Sequence, residues 1–152
     1  NSLYAKLYGE LIKKHQLFET QLYNYVDNYE TRFDIIEYVN PEDDYDLFCK
    51  NVQDKTRFIG LFNFITSLYH INIVDRTTLG YYIDYLFNKL ESEDTDTEKY
   101  IECLCKFLTK INDKKIFEEK LEVLKRLKGE KDRISARYRF MIMDLLDLYK
   151  KM

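Results

Sequence analysis

Along this chain apolar residues return every three to four positions in segment after segment, the spacing that one face of an α-helix requires. Leu3, Leu7, Leu11 and Ile12 mark a first helix that ends near His15. Leu22, Tyr25, Val26, Tyr29, Phe33 and Ile36, reaching toward Val39, mark a second. Asn40-Pro41 should stop it, because a residue that precedes proline is pushed out of helical geometry. Pro41-Glu42-Asp43-Asp44 then reads as a helix start, with proline in the first turn and acids at the positive end of the dipole. The third helix is long and carries Phe48, Val52, Phe58, Ile59, Phe62, Ile65, Leu68 and Tyr69 on one side. Asp75 is placed to cap a fourth, striped by Leu79, Ile83, Leu86 and Leu90. An acidic loop, Glu91 to Asp96, leads to a fifth over Thr97 to Ile111, striped by Ile101, Leu104, Leu108 and Ile111. A sixth runs from about Lys115 through Phe117, Leu121, Leu124 and Leu127 to Gly129, a residue suited to a helix C-terminus. The last covers about Arg133 to Lys150.

One proline and four glycines leave few helix breakers, so the chain reads as all-α. Its 152 residues and 45% apolar content suit one domain with a real core. Short connections favour antiparallel neighbours, and such helix pairs can stack as an α-solenoid or close into a bundle. No strict sequence period separates the two.

Charge changes this picture more than composition does. Residues 1–109 hold 11 Lys and Arg against 19 Asp and Glu, a balance of −8, whereas residues 110–152 hold 13 against 8, a balance of +5. An acidic body with a basic C-terminal third offers different surfaces to different partners, although ordinary solvated helix faces also fit these counts. Three cysteines in no disulfide framework, with no leader or long apolar span, point to a reducing cytosolic setting away from membranes. Cys103 and Cys105 lie two apart on a predicted helix, roughly 200° around it, so they do not converge on one ion. No Gly-rich phosphate loop or His-Glu-x-x-His arrangement occurs, and neither a metal nor another cofactor is expected. Tyr81 to Phe87 fits a Tyr-x4-Leu-hydrophobic pattern that partners of the cap-binding protein use, but Leu86 is already expected in the core.

Four blocks then carry a resemblance. Ser2-Leu3-Tyr4-Ala5, Arg57-Phe58-Ile59-Gly60-Leu61-Phe62, Ile101 to Thr109 and Ser135 to Met141 follow one another as similar blocks do in the middle domain of translation initiation factor 4G. The resemblance implies a HEAT-like α-solenoid of stacked antiparallel helix pairs across residues 1–152, lacking the helix pair that normally precedes the first block. It also implies a shorter link between the second and third helices. Glycine at position 60 would let another helix approach closely. The partners implied are a DEAD-box helicase of the initiation factor 4A type, other initiation factors and mRNA. The chain would then be a cytoplasmic translation initiation scaffold that stimulates the helicase, and not an enzyme. A related middle domain from a translational repressor, an mRNA decay factor or a splicing factor would share the fold and bind another protein. A generic helical RNA-binding module is the reading from a third class.

The last helix carries the candidate site. Ile134, Tyr138, Met141, Ile142, Leu145, Leu148 and Tyr149 form the expected buried stripe, while Arg133, Arg137, Phe140, Asp144 and Asp147 form another row. An aromatic among charges is either a second packing contact or a partner anchor. The resemblance favours the anchor, since a phenylalanine in the family's Arg-Phe-Met segment looks like part of its helicase-binding surface. Phe140 with Arg137 and Arg139 is thus the expected helicase-binding set, its cations suited to carboxylates or to phosphates. Lys114, Lys115, Lys125, Arg126, Lys128 and Lys131 are the expected RNA-contacting set, within a basic stretch interrupted by acids.

Overall fold

A computed structural model of the chain describes residues 2–14, 16–36, 39–92 and 97–152, apart from the side chains at positions 19, 26, 27 and 29–32. His15, the Val26 and Tyr29 side chains and residues 93–96 of the acidic loop lie outside the described residues. Among the described residues seven helices follow in order: α1 (Ser2–Lys14), α2 (Leu17–Asp34), α3 (Tyr45–His70), α4 (Arg76–Glu91), α5 (Thr97–Ile111), α6 (Lys114–Gly129) and α7 (Ala136–Lys151). Among the described residues there is no strand, and the all-α expectation holds. The chain divides into two compact units, Asn1–Asp75 with α1 to α3 and Arg76–Met152 with α4 to α7.

In the first unit each helix packs on the other two. Phe33 of α2 stacks on Phe58 of α3 with ring centroids 3.8 Å apart, and Phe58 meets Phe62 one turn on. Tyr8 of α1 sits edge-on to Phe18 and Phe64, and its hydroxyl donates to the Phe18 carbonyl at 2.7 Å. The face that α1 buries is not its leucine stripe. Leu3 and Leu7 are 74% and 60% exposed, and Ala5 and Gly9 are buried instead. A Cβ added at Gly9 would stand 3.0 Å from Ile71 Cδ1 and from Ile73 Cγ1, so the bare glycine is what admits these side chains. Close approach was expected at Gly60, yet nothing lies within 4 Å of where its Cβ would be.

The start of α3 also differs from expectation. Residues 41–43 form a turn in which the Asp43 and Asp44 amides donate to the Asn40 carbonyl at 3.0 and 3.3 Å. The helix begins at Tyr45, where the Asp44 carboxylate accepts the Leu47 amide at 2.9 Å. A side-chain cap that satisfies an orphan amide outweighs proline as the start signal.

In the second unit α4 packs on α5, and α7 packs on both α5 and α6. The predicted stripes of α4 and α5 are all buried, as are Phe117, Leu124 and Leu127 of α6. Asn112, at φ 52°, ends α5 in left-handed geometry with its amide on the Leu108 carbonyl at 3.1 Å. Gly129 takes no such role, because it closes α6 without a positive φ. Ion pairs join α4 to α6, among them Arg76 to Glu119 at 3.6 Å, Asp84 to Lys120, and Glu91 to Arg126. Their partners advance in the same order along both helices.

Arg133 corrects the expected outer row. It lies in the turn before α7, where its guanidinium Nη2 donates to the Leu90 and Ser92 carbonyls, each at 2.8 Å, and to Thr97 Oγ1 at 3.0 Å. Leu90 falls in the last turn of α4, where helix carbonyls lack intrahelical donors and a cation meets the negative end of the dipole. The Ser135 amide donates to Glu98 Oε1 at 2.7 Å and fixes the entry to α7 beside α5.

Candidate functional site

The core side of α7 is set by Ile142 and Leu145, both buried, with Tyr138, Met141 and Tyr149 half-buried beside them. Helical geometry sends Phe140 to the opposite side, and the ring is 61% exposed. Arg137, three residues earlier, shares that face and is exposed, its guanidinium 5.4 Å from the centroid of the Tyr138 ring. Arg139 does not join them. It is half-buried and its Nε donates to the Ile134 carbonyl at 3.1 Å, which ties it to the turn leading into the helix. Asp144 and Asp147 continue the outer row, both exposed.

Met143 belongs to the same surface and carries no mark in the apolar stripe. It is 41% exposed and one turn from Phe140, so two neighbouring apolar side chains face outward on α7. Their i, i+3 spacing is the signal that would have found the pair. Beside Met143 a groove of about 300 Å³ runs between α6 and α7. Leu121, Met143, Leu146 and Tyr149 form its apolar part, and Lys125, Lys128, Asp147 and Lys150 its polar part. Lys150 pairs with Asp147 at 2.7 Å, and that ammonium is the chief reason the Asp147 carboxyl is held below its usual range. Lys151 and Lys128 act on it in the same direction.

The expected RNA-contacting residues divide between surfaces. Lys114, Lys125 and Lys128 recur at helical spacing on the α7 side of α6, and the Lys114 ammonium lies 5.5 Å from the centroid of the Tyr149 ring. Arg126 points elsewhere, to Glu91 of α4 and, at 3.9 Å, to Glu130. Lys125 is paired with Glu122 at 2.7 Å. Lys115 and Lys131 are exposed, the latter in the turn after α6.

Other sequence features resolve into packing. Leu86 and Phe87 of the Tyr-x4-Leu pattern are buried, and of its three defining positions Tyr81 is the exposed one. Cys103 and Cys105 are buried too. Burial, with the Asp144 and Glu102 carboxylates adding, pushes the Cys105 thiol up to about 12, so it stays protonated at neutral pH and is a poor nucleophile or metal ligand. Among the described residues no three His, Cys, Asp or Glu side chains gather as a metal site, and no helix is long and apolar enough to cross a membrane. Comparison with protein-family models, with curated proteins and with solved structures finds no match to this chain.

Proposed function

We propose that this chain is a helical scaffold of the initiation factor 4G middle-domain type, which binds a factor 4A-type DEAD-box helicase through the outer face of α7. The observation that carries the reading is Phe140, an aromatic ring turned to solvent beside Arg137 on the most clearly family-like segment of the sequence. A large ring with a charged rim has the make-up of an interface anchor. The ion pairs between α4 and α6 support the solenoid form of the fold, because partners advancing in the same order suit two consecutive helix hairpins laid side by side. Phosphate contacts are the lesser part of the proposal, since the expected cations divide between surfaces and Arg126 already faces Glu91 and Glu130.

The mechanism is conformational. A helicase of this class has two lobes that close on ATP and RNA, and a scaffold that binds a half-open arrangement better than the open one raises its population. It speeds turnover without supplying a catalytic group. The test is the RNA-dependent ATPase rate of the cognate helicase at rising concentrations of the chain. The rate should climb to a plateau with the wild type and stay flat with Phe140→Asp. A rate that the wild type leaves unchanged would remove the stimulatory role.

A further inference from the structure

The α6–α7 groove has a chemistry that the helicase reading does not use. Its floor is apolar and partly open, with Met143, a flexible and polarisable side chain that adapts to varied apolar surfaces, reaching toward solvent above Leu146. Its rim is cationic. Lys125 and Lys128 stand on α6 and Lys150 on α7, in the third of the chain that carries a balance of +5. Lys125 also pairs with the exposed Glu122 at 2.7 Å, a surface pair that an incoming carboxylate can replace, and Lys128 is exposed and close enough to Asp147 to act on its carboxyl. A carboxylate is already accommodated among these ammonium groups, as Asp147 shows by its 2.7 Å pair with Lys150.

We propose that this groove docks a short acidic amphipathic helix of a partner protein, which lays an apolar side chain on Met143 and Leu146 and brings carboxylates to Lys125 and Lys128. A groove with an apolar floor between two packed helices is the kind of surface on which an amphipathic helix lays its i, i+3, i+4 residues. Charge complementarity selects the acidic version and steers it to the surface. A nucleic acid strand fits less well. Tyr149, the one ring lining the groove, is stacked on Phe117 and covered by the Lys114 ammonium, so it offers no free face to a base.

The test uses the full chain and three fluorescein-labelled probes. They are a helical peptide of about four turns with leucines at i, i+4 flanked by glutamates, the same peptide with lysines in place of the glutamates, and oligouridine. Fluorescence anisotropy should show the acidic peptide binding with a Kd below about 100 μM. Lys125→Glu with Lys128→Glu, both surface changes, should weaken it at least about tenfold. In a ¹³C-methyl spectrum the Met143 signal should move on titration while that of half-buried Met141 stays in place. Arg137→Ala, at a helicase-reading residue outside the groove lining and nearly two turns from Met143, should leave the affinity unchanged, which separates this site from the helicase reading. Equal binding of the lysine peptide, binding of oligouridine alone, or a Met143 signal that does not respond would each overturn the proposal.

Discussion

Arg133 joins three acceptors at the end of α4 and the start of α5 to the turn that precedes α7, so a single side chain holds together two connections of the second unit. Removing it leaves two backbone carbonyls and a hydroxyl without this donor. Arg133→Ala should lower the stability of the second unit by about 1–2 kcal/mol in urea denaturation, with little change in affinity for a protein partner. Arg133→Lys should not restore it, because one ammonium lacks the planar fork that serves several acceptors at once. Cys105 makes a prediction of opposite character. Its folded pKa is raised from 9.0 to about 12, so the stabilisation from keeping the proton is complete below pH 9 and is lost as pH rises toward 12. Cys105→Ala gives up packing at neutral pH, yet the stability gap between wild type and variant should narrow between about pH 8 and about pH 11. A gap that stays constant would mean that the thiol is not held protonated.

At the scale of the helix, α1 shows what periodicity tells and what it leaves open. The spacing of Leu3, Leu7 and Leu11 located the helix, but nothing in a repeat of leucines says that the small-residue face of Ala5 and Gly9 will be the one that packs. Leu3→Lys with Leu7→Lys should therefore stay within about 0.5 kcal/mol of wild type. Gly9→Ala should cost about 1 kcal/mol, because two stiff isoleucine side chains would have to yield. Gly60→Ala should stabilise by up to about 0.5–1 kcal/mol, since it adds a helix-favouring methyl into open space. Thermal or urea unfolding of the three variants orders them directly. The helices α4 and α5 were legible almost to the residue because their apolar stripes are clean and fully buried. Phe140 was legible because it breaks such a stripe. The Arg133 bridge and the Met143 groove were not, because each depends on which distant segments become neighbours, and a one-dimensional pattern does not hold that information.

For the molecule as a whole, residues 1–109 carry a balance of −8 and residues 110–152 one of +5, an uneven distribution that would add long-range steering to the local contacts proposed on α7. The second unit concentrates the candidate surfaces: Phe140 and Arg137 on the outer face of α7, and the lysine-rimmed groove on its α6 side. The proposed role of the outer face of α7 is to dock a factor 4A-type helicase. Titration calorimetry of the chain into the cognate helicase tests it most directly. The wild type should bind with a Kd of about 1 μM or tighter, and Phe140→Asp should lose about 2 kcal/mol or more, roughly thirtyfold. Absence of binding by the wild type at about 10 μM would contradict the helicase reading, and wild-type affinity in Phe140→Asp would contradict the placement of the site on α7.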